Sequence, residues 1–109
     1  MDELTRTNLI RSGWQIHAAI EDAALRHTAT KGEGQPSPEW LDKQRLLLAD
    51  MAIHLLQTAL KPGDMELDKL RNNLHAILTL SDGFLPYAGL KGATGKIYES
   101  VEEPSQQYW

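Results

Sequence analysis

Apolar residues recur at helical rather than alternating spacing from residue 4 to residue 80, and the pattern predicts three long helices. In the first, residues 4–27, Leu9, Ile10, Trp14, Ile20 and Ala24 share one arc. Asn8, Arg11, Gln15, Asp22 and Arg26 share the other. Gly13 stands inside the apolar arc. A glycine there costs about 1 kcal/mol against alanine, a cost offset if a neighbouring helix approaches closely at that point. The helix is expected to end at residues 28–30, because residues 31–37 are turn formers with no apolar content and read as a loop.

The second helix has the clearest start in the chain. Ser37 supplies a capping hydroxyl, Pro38 suits the first helical position, and Glu39 complements the positive helix end. Pro62 and Gly63 stop it after Lys61. Leu41, Leu48, Met51, Ala52, Leu55 and Ala59 form one stripe, while Leu46, Ile53 and Leu60 recur every seven residues on nearly the opposite side. Only the wedge of Lys43, Asp50, His54, Gln57 and Lys61 is clearly polar, and it reads as a solvated face. A helix apolar almost all round belongs in the middle of an assembly.

The third helix, from a cap at Asp64 to Leu80, has a single apolar face of Leu67, Leu70, Leu74, Ile77 and Leu78, with Gly83 as a left-handed stop. Beyond it, residues 91–96 read as a loop, residues 97–103 as a short helix, and Tyr108 and Trp109 as a tail anchor. The predicted fold is all-α: an up-down-up bundle of three helices in residues 1–83, with a C-terminal extension in residues 84–109 packed on it. Such a bundle leaves Leu46, Ile53 and Leu60 open unless the tail or a second copy covers them. Self-association through helix two into a dimer or higher oligomer is the preferred expectation.

The 109 residues carry a formal net charge of -4 with no cysteine. That balance excludes a dedicated phosphate-backbone binder, and the lack of cysteine excludes disulfides and thiolate chemistry. Neither a membrane span nor an export signal is legible, so no membrane or nucleic-acid partner and a cytoplasmic location are expected.

His17 and Glu21 lie near the centre of the apolar arc of helix one, where burial requires mutual pairing, with Arg71 or His75 as further partners. They are candidate ligand-binding residues, although a core hydrogen bond is the simpler explanation and no metal centre is assigned to them. The run from Gly89 to Lys96 carries the glycines of a phosphate loop, but with one residue too many before Gly95 and with Ile97 where Ser or Thr is required. Lys91 and Lys96 remain candidates for an anionic ligand. No catalytic set and no cofactor are expected. The sequence reads best as a small acidic helical interaction protein that regulates, adapts or inhibits a partner protein as a homo-oligomer. The alternative is a small-molecule or metal-binding helical protein.

Overall fold

The structure, a computed structural model, describes residues 1–26 and 37–99. Those residues form four helices and no strand: α1 Glu3–Leu25, α2 Pro38–Leu60, α3 Leu67–Asp82 and α4 Leu90–Glu99. Asp2 caps α1 by accepting from the Thr5 amide at 2.7 Å, and Ser37 caps α2 by accepting from the Trp40 amide at 3.0 Å. Both satisfy amides that a helix start otherwise leaves unpaired.

Helix α3 starts two residues later than the sequence suggests, with its cap at Glu66 in place of Asp64. Glu66 makes no capping bond and instead receives Lys61 and Lys69. Gly83 caps α3 in a right-handed conformation, not the expected left-handed one; the positive φ values belong to Gly63 and Gly89. Residues 91–96, expected as a loop, are helical. Gly92 and Gly95 are accommodated within α4, where a Cβ would meet nothing within 4 Å. The expected end of the first helix beyond residue 26, and the expected short helix and tail anchor beyond residue 99, lie outside the described residues.

Packing is sequential: α1 on α2, α2 on α3, α3 on α4. A closed up-down-up bundle would also set α3 firmly against α1. Here the helices lie side by side in one layer of 47 × 35 × 15 Å. Four helices in a row at about 10 Å spacing account for about 35 Å. The radius of gyration is 16.5 Å, against about 13 Å for a compact domain of this length. Burial follows from the shape: Ala24 is the one hydrophobic residue below a tenth exposed among the described residues, joined by Gly13 and Gln57.

Gly13 is where α1 and α2 approach most closely. A Cβ there would stand 2.3 Å from Gln57 Nε2 and 3.0 Å from Leu56 Cδ2. The space is used by the Gln57 amide, which donates to the Ile10 carbonyl at 2.8 Å across the helix pair. At about 100° per residue, Ile53 and Leu60 lie on α2 between Leu56 and Gln57. Leu46, Ile53 and Leu60 are accordingly half-buried on the side turned toward α1, so α1 of the same chain occupies the arc that the sequence leaves for a partner.

Gly13→Ala is expected to destabilise the chain by about 1–3 kcal/mol through overpacking, despite alanine's better helix propensity. Gln57→Ala in the same chain should recover most of that loss, giving a coupling energy measurable by a urea double-mutant cycle. At the turn between α2 and α3, hydrogen bonds from Lys61 and Lys69 hold the Glu66 carboxyl below its ordinary range, and Glu66 in turn raises Lys61. The stabilisation from Glu66 is therefore present above the ordinary carboxylate pKa and lost as pH falls through the lower folded value. A carboxyl-resolved NMR titration should show Glu66 titrating below an ordinary glutamate, and Lys61→Met should move its midpoint upward.

Candidate functional site

The layer has two unlike faces. Facing one way on α2 are Leu48, Ala52, Leu55 and Ala59, about half a turn of the helix from Asp50. On the same side lie Leu9 and Ile16 of α1 and Leu70, Leu74 and Ile77 of α3. None is buried: Leu9 is 43% and Ile16 49% exposed, Ala52 and Ala59 are exposed, and Leu48, Leu55, Leu70, Leu74 and Ile77 are half-buried. The other face carries polar side chains from three helices over a groove of about 450 Å³. Trp14 of α1, His54, Gln57 and Lys61 of α2, and Lys69 and Asn73 of α3 are among its walls. Trp14, which the helical pattern puts in a core, is instead 45% exposed at this groove.

At the α1 side of the groove the polar residues converge. His17 Nδ1 is hydrogen-bonded to Asp50 Oδ1 across the helix pair. Its Nε2 meets Glu21 Oε2 at 3.3 Å one turn along α1. The other oxygen of Asp50, Oδ2, lies 3.4 Å from His54 Nε2 one turn along α2. The His17, Asp50 and His54 side chains are 20%, 19% and 35% exposed, against 60% for Glu21. Trp14 closes the side of the cluster with edge contacts at 5.4 Å to His17 and 6.1 Å to His54, and the two imidazoles meet at 4.9 Å.

Helical geometry explains the convergence. Trp14, His17 and Glu21 are spaced three and four apart, as are Asp50, His54 and Gln57, so each set forms one ridge. The Gln57–Ile10 bond and the Gly13 contact fix the register that brings the two ridges together. His17, Asp50 and His54 each present one donor atom, all within 4.8 Å of one another. These are the groups able to hold a divalent cation in this site.

The pairing of His17 with Glu21 is thus present, but its third partner is Asp50 of α2, not Arg71 or His75. Arg71 binds Asp68 at 3.0 Å, and His75 stacks edge-on against Tyr98 at 5.6 Å. Lys91 and Lys96 sit on α4, which packs on α3 at the far edge of the layer from α1. The sequence reading missed Asp50 and His54, whose spacing alone is that of any solvated helix face. The available signal lay in α1: buried-arc polar residues need partners, and the polar wedge of α2 supplies them.

No family model matches the chain, and neither a curated protein nor a solved structure matches it. No helix among the described residues is long and apolar enough to cross a membrane.

Removing the two carboxylates should give unequal effects. Asp50→Ala leaves the half-buried His17 without its cross-helix partner and should cost about 1–3 kcal/mol. Glu21→Gln, on an exposed side chain, should cost less than about 1 kcal/mol. Chemical denaturation of the two variants checks the order.

Proposed function

We propose that this chain is a non-enzymatic interaction protein whose working form is a homo-oligomer, with the apolar face of one helical layer set against that of a second copy. In that form the polar faces point outward to a partner protein that the assembly regulates, adapts or inhibits. The observation that carries this reading is the single layer of amphipathic helices, in which Leu9 and Ile16 of α1 and Ala52 and Ala59 of α2 stand exposed on the side that also carries the half-buried Leu48, Leu55, Leu70, Leu74 and Ile77. A layer of 47 × 35 Å offers a face well above the about 800 Å² per partner of an ordinary stable interface. The face is also continuous across three helices, as a second layer of helices requires. Leu46, Ile53 and Leu60, the contacts expected from sequence, would then support the interface from behind by holding α1 on α2.

Sedimentation velocity at micromolar concentration should find a dimer or larger species with a concentration-dependent Tm. Ile16→Glu with Ala52→Glu introduces charge at two exposed points of the apolar side and should give a monomer that keeps its helical circular dichroism. A wild-type chain that stays monomeric at tens of micromolar, about the weakest range for a useful interface of this size, overturns the reading.

A further inference from the structure

We propose that His17, Asp50 and His54 form a binding site for one divalent transition-metal ion, zinc being the ion whose chemistry fits best. The three donors come from two helices and already lie within 4.8 Å of one another. Zinc takes nitrogen donors at about 2.0–2.1 Å and carboxylate oxygens at about 2.0–2.2 Å in a tetrahedron. Donors around such an ion are about 3.4 Å apart, against separations of up to 4.8 Å here, so binding draws the set together. Two imidazoles with one carboxylate favour zinc over calcium or magnesium, which prefer all-oxygen shells.

The roles of the individual atoms follow from their directions. His17 turns Nδ1 toward Asp50 and Nε2 toward Glu21. Coordination through Nδ1 leaves the Nε2–H donating to Glu21, the carboxylate–histidine–metal arrangement that fixes tautomer and ring orientation. His54 offers Nε2, the atom it already directs at Asp50. Asp50 stands between the two imidazoles, one oxygen toward each. The present hydrogen bond between His17 and Asp50 is the metal-free form of the pair: on binding, the imidazole proton passes through solvent from Nδ1 to Nε2, where Glu21 accepts its hydrogen bond, and the ion takes the place left at Nδ1. Trp14 walls one side, and the groove leaves the fourth position open to water or to a donor from another molecule.

Such an ion would tie α1 to α2 beside the Gln57–Ile10 hydrogen bond, at the contact that sets their register. It lies on the polar side of the layer, so the site does not depend on the proposed self-association. The Ile16→Glu, Ala52→Glu chain should bind zinc as the parent does.

The test is calorimetric titration of the metal-stripped full chain with zinc, alongside visible absorption with cobalt in its place. Expected are one ion per chain, the d–d absorption of a low-coordinate cobalt site, and a Tm that rises with zinc. His54→Gln and Asp50→Asn should each weaken binding beyond the roughly 10–100-fold that losing an outer partner costs, while Glu21→Gln stays within that range. His54 is the most exposed of the three ligands, so its variant should retain the parent's helical content. Absence of stoichiometric binding, or binding unchanged in His54→Gln and Asp50→Asn, overturns the site.

Discussion

A helix buries only the part of its circumference that a neighbour covers, and among the described residues each helix packs chiefly against its neighbours in sequence. The two end helices are covered on one side and the two middle helices on two. Such a layer encloses no core, and Leu9 and Ile16 of α1, Leu56 of α2 and Leu67 of α3 remain 43%, 49%, 37% and 48% exposed. Complete burial of a leucine or isoleucine is worth about 1.5–3 kcal/mol. Leaving several of them half-covered forfeits an energy comparable with the about 5–15 kcal/mol net stability of a typical domain. The most direct physical remedy for a single layer is a second one.

That constraint also explains why the two faces differ in chemistry. On the polar side, α2 lies at the bottom of a groove between α1 and α3, and its short arc there carries Asp50, His54, Gln57 and Lys61. The groups are close enough to satisfy one another: Gln57 reaches the Ile10 carbonyl, Asp50 reaches His17, and Thr58 donates to Asn73 at 2.6 Å. On the opposite side the arc of α2 is wide, with Leu48 and Leu55 half-buried and Ala52 and Ala59 exposed. The Gly13 contact sets how closely α1 and α2 approach, and so the register in which His17 finds Asp50. One missing methyl group thereby governs both the helix pair and the polar cluster.

Much of the fold was legible because it rests on local chemistry. Ser37 with Pro38 opens α2 and Pro62 with Gly63 closes it, within a residue of the expected bounds. Gly13 announced a close helix approach, which the structure supplies. The two-sidedness of α2 was legible too, but not which neighbour takes which stripe, since periodicity fixes faces and says nothing of what covers them. The Gly89–Lys96 run misled because glycine count was read as loop, although Leu90, Ala93 and Ile97 keep helical spacing. Asp50 and His54 were hidden for a related reason. A polar residue on a helix is recognisable as a site only when the opposite surface is known, and His17, which faces Asp50, is 33 residues away in α1.

The two faces together bear on how a chain with so little interior can hold a defined geometry. Hydrophobic cover acts over the whole apolar side and is indifferent to small sliding of one helix on another. The polar cluster is the opposite, since a shift of one residue between α1 and α2 would turn His17 away from Asp50 and unseat Gln57 from Gly13. Cover of the apolar face supplies stability without register, and the hydrogen-bonded ridge supplies register with modest stability, because each net hydrogen bond contributes only about 1 kcal/mol. A cation held by His17, Asp50 and His54 would add energy at the position that already sets the register. The fold would then be completed from both sides of the layer, by a second copy on the apolar face and an ion on the polar one.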